Sequence, residues 1–384
     1  MQQLIKKFTS HFGCAPVIAA AAPGRLEVLG NHTDYNEGFV LSCAVDQTTK
    51  FVLTPVPGSK CTVKDFRDGC EMHFDLGALD RQPPRNGSKY IIGMLNELRK
   101  RGFKPFAFKA GLESSVPLSA GMSSSAALEV ACGLAFVTQT GFRIERAELA
   151  RAGQGVENNF LGLKTGLLDQ FSSLFGQKDS IIMSDFRSVE VLGTHQLPAG
   201  YAFAVINSMK KHTLVDSDYN VRREDCENAA KILSGIYPGA RTLRDITPEQ
   251  LENAKDKLSP RQFSRAAHVV GECDRVKQAA QLLKHGDVAG FGKLLFESHD
   301  SSIHNFENST DELDTLVNIA RNDGACLGAR LSGGGFGGIT IHLVKADEAA
   351  AYAERVKKEY QKLTGIEAEV FICSLGDGAQ VEVL

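Results

Sequence analysis

Apolar residues recur along this 384-residue chain in two rhythms. Short runs rich in β-branched and aromatic residues read as strands. They are VIAAAAPG from Val17, FVLSCAVD from Phe39, KFVLTPV from Lys50, FAFKAGLESSV from Phe106, SIIMSDF from Ser180 and YAFAVINS from Tyr201. Helical spacing governs about Tyr90 to Arg101 and the run SSAALEVACGLAFVTQT, which opens at Ser124 and stops before Gly141. Two further helices are predicted from about Glu145 to Phe160 and Gly166 to Phe175, and a mainly helical stretch from about Asp216 to Ala320. GARLSGG and ITIHLV then read as strand, turn, strand, followed by a helix from about Ala346 to Leu363 and the strand EAEVFICSL. Runs of strands and runs of helices, without strict alternation, predict α+β layers. The length and the 43% hydrophobic content suit two domains. The softest boundary, Leu197-Pro198-Ala199-Gly200, divides the chain into 1–198 and 199–384.

Charge and cysteine usage narrow the function. The net charge is −3, from 43 basic and 46 acidic residues, and no basic run offers a footprint for nucleic acid. The first residues lack the apolar stretch of a signal peptide, and no run approaches the roughly 18 apolar residues of a membrane span. The nine cysteines are scattered and never spaced C-x-x-C, the pattern of reduced thiols in a cytoplasmic protein. G-x-x-x-x-G-K-[ST], G-x-S-x-G and H-E-x-x-H are all absent.

Four segments carry candidate chemistry. GNHTDYNEG, from Gly30, lies between apolar runs. Asn-Glu-Gly alone would turn the chain. The preceding His-Thr-Asp-Tyr adds groups that suit a small ligand rich in hydroxyls. PLSAGMSSSAALEV, from Pro117, places small residues and hydroxyls before a helix, whose N-terminus attracts phosphate. Ser123 or Ser124 serving only as an N-cap is the plainer alternative. LSGGGFGGITIHLV, from Leu331, matches G-x-G-x-x-G but runs into a strand, so it opens no dinucleotide-binding helix. It reads either as a glycine hairpin or as a loop closing over a ligand. GVENNFLGLKTGLLDQFSSLFG, from Gly155, contains Glu157 and Asp169, each able to bind a metal or accept a proton, or to stand in solvent.

Taken in order, these segments resemble the GHMP small-molecule kinases and, within them, the galactokinase family. GRLEVLGNHTDYNEGFVL resembles that family's signature, whose usual form is close to GR-x-N-L-I-G-E-H-T-D-Y-N-x-G-x-V-L-P. PLSAGMSSSAALEVA resembles the phosphate loop, VENNFLG and GLLDQFSSLFGQ the segment of the base, HTLVDSDYNVRREDCENA a Tyr-x-x-Arg-Arg helix, and GARLSGGGFGG the third motif. The resemblance runs from about Pro23 to Gly338.

It implies two α+β domains with the active site in the cleft between them, and ATP-dependent phosphorylation of galactose on its anomeric hydroxyl. By the same resemblance Asp169 is the catalytic base and Arg25 its neighbour, offsetting charge on the transferred phosphoryl group. Ser125, or Ser124, and Glu157 match the Mg²⁺ ligands. Gly121, Met122, Ser123, Ser124 and Ser125 cradle the ATP phosphates. Asn31, His32, Asp34, Gly166, Asp169 and Tyr219 match sugar contacts. The expected partners are a small-molecule sugar and ATP, with no nucleic acid or membrane, in a monomer or weak homo-oligomer.

The match breaks in four places. Asn31 stands where the signature has Glu, Glu27 where it has Asn and Ser42 where it has Pro, and there is no tryptophan for an adenine pocket. Asn31, expected at the sugar's 6-hydroxyl, leaves room for galacturonate, L-arabinose or N-acetylgalactosamine as the substrate. A non-catalytic sugar sensor is the alternative from another class.

Overall fold

Two of the predicted strands are one. The runs from Phe39 and Lys50 form a single 17-residue strand with no turn residue between them, and the alanine-rich run continues through Arg25 to Leu29. The structure, a computed structural model, describes residues 1–81, 87–117, 121–210 and 215–384. Residues 118–120 of the serine-rich loop and 212–214 of the Tyr-x-x-Arg-Arg segment lie outside the described residues.

The strands are β1 (Ile18–Leu29), β2 (Phe39–Pro55), β3 (Lys60–Asp65), β4 (Glu71–Asp75), β5 (Phe108–Ser114), β6 (Ser180–Asp185), β7 (Glu190–Gln196), β8 (Tyr201–Asn207), β9 (Cys326–Ser332), β10 (Ile339–Lys345), β11 (Glu369–Cys373) and β12 (Gln380–Val383). The first sheet runs β12-β1-β2-β5-β3-β4, with β6 on β2 and β7 on β6. Length lets β2 serve both. Its start pairs with β6 through Phe39–Ser42 and its end with β5 through Thr49–Pro55. The second sheet, β11-β8-β10-β9, is wholly antiparallel. β12 returns to β1, so the first sheet takes its last strand from the chain's C-terminal end.

Helices Ser88–Lys100, Ser124–Thr140, Arg146–Gly155 and Leu168–Phe175 cover the first sheet. Met94, Val130, Phe136 and Phe171 pack there against Phe51, Leu53 and Phe108. Apolar burial of this kind contributes roughly 1.5–3 kcal/mol per large side chain. A second core joins the sheets, with Leu26, Val28 and Leu41 packed with Phe203, Ile339 and Ile341. The cleft is the polar seam beside that shared core. The helical stretch after β8 resolves into Val215–Ile236, Pro248–Asn253, Pro260–Lys284, Val288–Ser301 and Asp311–Arg321.

Elsewhere the structure departs from the sequence expectation. An amphipathic helix, Gln2–Phe12, opens the chain and buries Leu4 and Phe8. The helix expected to reach Phe160 ends at Gly155 and widens into a π-helical turn, Val156–Phe160, that carries Glu157 inward. Among the described residues no helix is long and apolar enough to cross a membrane.

Candidate active site

Side chains alternate along a strand, so β1 presents Arg25 and Glu27 on one face, toward the point where the loops converge. Arg25 Nε and Nη2 both lie 2.8 Å from Asp169 Oδ1, and Nη1 donates to the Gly121 carbonyl at 2.6 Å. Asp169 lies in the first turn of its helix and accepts the Ser123 hydroxyl on Oδ2. One ion pair thus ties the signature strand, the serine-rich loop and the acidic segment together. Arg25 is 5% exposed, whereas the Asp169 side chain keeps 29% of its surface open to the cleft.

Two cavities meet at this pair. The larger, of 510 Å³, is lined by Gly121, Met122, Ser123, Ser124, Ser125 and the glycine loop Gly333–Gly338. Ser123 precedes the helix in a left-handed conformation (φ 56°), and its side chain makes no capping hydrogen bond to that helix. The N-cap alternative is therefore not realised, and the first-turn N–H groups stay available to an anion. Gly121 (φ 61°) presses against Ile339, where an added Cβ would come within 2.8 Å of Cγ1. The glycine loop is the hairpin its sequence suggested. It is a hairpin between β9 and β10 with positive φ at Gly333, Gly335, Gly337 and Gly338, and it walls the cleft.

The smaller cavity, of 130 Å³, brings together Asn31, His32, Asp34, Gly166 and Tyr219. Asp34 accepts the Leu168 N–H at 3.3 Å. Burial, then the nearby Glu27 carboxylate, push its carboxyl up from the usual 3.8 to about 6. Gly166 is required there, because a Cβ would fall 1.6 Å from Asp34 Oδ2. His32 is held neutral, its pKa lowered to about 3 by burial and by His268. Its ring nitrogens lie 2.8 Å from the Tyr35 hydroxyl and 3.1 Å from the Gly334 carbonyl. A neutral ring meets both by donating Nε2–H to the carbonyl and accepting from Tyr35. The rings of Phe306 and Tyr219 flank it at 4.4 and 5.0 Å.

Asn31 lines this cavity with its amide engaged. Nδ2 donates to Glu27 Oε1 at 2.7 Å and to the Gly333 carbonyl at 2.8 Å, and Oδ1 accepts from Asn308 at 3.0 Å. Glu27 lines it too, backed by the buried Arg330, whose Nη2 lies 3.0 Å from Oε1. Burial pushes the Glu27 carboxyl above the ordinary range, against the pull of Arg330 and Arg25.

Ser125 and Glu157 also come together. Ser125 Oγ donates to Glu157 Oε1 at 3.4 Å, and Thr165 donates to Oε2 at 2.6 Å. Burial, then Asp169, raise the Glu157 pKa. Among the described residues no Lys or Arg is paired with this carboxylate. A buried carboxylate beside hydroxyls and a second carboxylate, without a cationic side chain, fits a hard divalent cation.

The two cavities share Arg25, Asp169, Gly333 and Gly334, so a small polyhydroxylated ligand and a phosphate-bearing ligand can meet across one carboxylate–guanidinium pair. Family models match over the same segments. The galactokinase galactose-binding signature covers 6–55, the GHMP kinase N-terminal domain 89–177 and the GHMP kinase C-terminal domain 279–362. A galactokinase of Glaesserella parasuis serovar 5 (strain SH0165) is 38% identical, over 98% of this chain and 97% of that one. The chain belongs to the galactokinase family. A second member, from Roseiflexus sp. (strain RS-1), is 36% identical over 98% of this chain and 96% of its own. The crystal structure of Lactococcus lactis galactokinase complexed with galactose superimposes with a TM-score of 0.93 at 29% identity, covering 99% of both chains. A mevalonate kinase structure, at 18% identity over 93% of this chain and 98% of its own and a TM-score of 0.62, shares the fold. The fold is thus the two-domain GHMP kinase fold, and the chain is a sugar kinase of the galactokinase type.

Three features of this galactokinase-family site escaped the sequence reading. Lys210 lines the larger cavity with Nζ 3.0 Å from Glu312, and nothing marks a lysine after a strand as special. A third cavity, of 510 Å³, adjoins Ser124 and Ser125 and is lined by Tyr90, Met72, Leu112 and Leu128, which come from separate elements. Glu272 accepts the backbone N–H groups of Gly30 and Asn31, both at 2.9 Å, from a helix 242 and 241 residues away along the chain.

Proposed function

We propose that this chain transfers the γ-phosphoryl group of ATP to the anomeric hydroxyl of D-galactose, giving galactose 1-phosphate and ADP. The observation that carries the proposal is the meeting of the two cavities at Arg25 and Asp169. Phosphoryl transfer needs chiefly positioning and charge stabilisation. Asp169 receives the sugar's anomeric O–H as hydrogen-bond acceptor and then as proton acceptor. The sugar oxygen forms the new O–P bond while the bond from the γ-phosphorus to the ADP oxygen breaks. Arg25, fixed on Asp169 and on the Gly121 carbonyl, stands where negative charge on the moving group needs compensation.

Asp34 accepts from the vicinal 3- and 4-hydroxyls, and His32 and Tyr219 close the pocket around the ring. The backbone from Gly121 to Ser125 holds the phosphates at the helix N-terminus. Ser125 and Glu157 would hold Mg²⁺, which supplies charge neutralisation to the phosphates when bound. The third cavity, continuous with Ser124 and Ser125 and containing Tyr90, takes the adenine. The layers act as two domains divided near 198/199, with β12 rejoining the first. Free thiols at all nine cysteines support a cytoplasmic setting.

The test is ATP- and Mg²⁺-dependent ADP release across D-galactose, D-glucose, N-acetyl-D-galactosamine and L-arabinose. D-galactose is expected to have the highest kcat/KM. A glucose rate equal to it would remove the role given to Asp34, because a carboxylate that reads two hydroxyls loses pairing with an epimer.

A further inference from the structure

The two departures from the family signature in the first segment touch each other. Glu27 and Asn31 stand where the signature has Asn and Glu, and Asn31 Nδ2 donates to Glu27 Oε1 at 2.7 Å. Both amide hydrogens of Asn31 are taken, by Glu27 and by the Gly333 carbonyl, and Oδ1 receives Asn308. Asn31 therefore has no donor left for a ligand. Glu27 is in the opposite condition. Its Oε1 collects Asn31 and Arg330, while Oε2 has no protein partner among the described residues. Glu27 as a whole is 4% exposed and lines the sugar cavity. On a residue this nearly buried, a carboxylate oxygen that lacks a protein partner is left for a ligand hydroxyl to complete.

We infer that acid and amide have exchanged places in this chain, so that Glu27 Oε2 accepts the sugar's 6-hydroxyl and Asn31 is the positioning residue that holds Glu27. The inference rests on the galactose reading above. With O1 at Asp169 and the 3- and 4-hydroxyls at Asp34, the 2-hydroxyl and the exocyclic hydroxymethyl remain, and the hydroxymethyl, beside O4, is the one we assign to Glu27 next to Asp34. Glu27 lies close enough to Asp34 to shift its titration. The consequence is a preference for a neutral CH₂OH. A 6-carboxylate would add negative charge beside Glu27 and Asp34, and Arg330 cannot answer it, being fully buried behind Glu27.

The experiment compares kcat/KM for D-galactose, 6-deoxy-D-galactose and D-galacturonate in the wild type, Glu27→Gln, Asn31→Glu and the double exchange Glu27→Asn/Asn31→Glu. A hydrogen bond to a charged group predicts that the wild type favours galactose over the 6-deoxy sugar by about 10- to 100-fold. Galacturonate is expected to be poorer still. Glu27→Gln should narrow the 6-deoxy ratio about tenfold and relieve part of the block on galacturonate. Asn31→Glu, which sets a second carboxylate against Glu27 in place of the amide that holds it, should also narrow the ratio, and the double exchange should keep it. A wild type indifferent to the 6-deoxy change, or a Glu27→Gln enzyme with the full ratio intact, overturns the assignment while leaving the galactose reading standing. A wild type that phosphorylates no sugar overturns both. If Glu27→Gln fails to fold, the wild-type deoxy series and the double exchange still decide.

Discussion

Asp34 is poised between two protonation states. On the proposed galactose reading only its ionised form accepts from both hydroxyls, and burial pushes its carboxyl up from 3.8 to about 6. kcat/KM for galactose should therefore fall as pH drops through about 6, read from a pH profile at subsaturating sugar. The effect on folding runs the other way. A folded pKa raised above the unfolded value contributes stability fully present below the unfolded pKa and lost as pH rises through about 6. Gly166→Ala places a methyl 1.6 Å from Asp34 Oδ2; KM for galactose should rise at least about 100-fold, as expected when a fitted polar contact is broken. Asp169→Asn removes the proposed proton acceptor and should lower kcat by roughly 10²–10⁴-fold, with galactose still bound in a calorimetric titration. His32 and Asp34 were legible because a turn does not need them. Glu27 was visible only as an oddity, since its meaning depends on contacts with Asn31 and Arg330 that sequence spacing does not reveal.

At the scale of elements, the sugar loop is held from behind by the helix Pro260–Lys284. Glu272 takes the Gly30 and Asn31 N–H groups on Oε2 and Arg275 on Oε1, at 2.6 Å. Removing a buried, hydrogen-bonded partner costs about 3–5 kcal/mol when a charge is left behind. Glu272→Ala should thus lower the denaturant midpoint substantially and raise KM for galactose. Glu272→Gln, which keeps the acceptor oxygen, should lose less. The loops and helices such as Ser124–Thr140 were legible because glycine clusters and 3.6-residue periodicity are local signals, whereas Val215–Ile236 and Pro260–Lys284 were legible only as one mainly helical stretch. The join of two runs into β2 was not, because nothing local distinguishes a continuous strand from two strands with a turn. The half-exposed edge strand β7, interrupted by Gly193, gave no apolar run to find. Gln2–Phe12 carries Leu4 and Phe8 at helical spacing, but two buried positions are too few to tell a docked helix from an unpacked leader by sequence alone.

The whole molecule builds its site from both layers. Arg25, Asp34 and Asp169 come from the first, Tyr219 and the glycine loop from the second, and the core of Leu26, Phe203 and Ile339 fixes their spacing. A ligand that engages both layers stabilises the folded state by mass action, about 2.7 kcal/mol at a hundred times its Kd. Galactose should raise Tm in a thermal scan, and Gly166→Ala should abolish that rise without lowering the unliganded Tm by more than a few degrees. The two-layer architecture was legible from the grouping of strands and helices. The return of β12 to β1 was not, because a four-residue strand at the chain end is recognisable only through its partner.

The most direct measurement of the central claim is phosphorus and proton NMR of the product formed from D-galactose, ATP and Mg²⁺. The geometry around Asp169 predicts a single sugar phosphate, with phosphorus coupled to the anomeric proton and formation lost in Asp169→Asn. Phosphate on another carbon, or full turnover by Asp169→Asn, would contradict the placement of the anomeric hydroxyl at the Arg25–Asp169 pair.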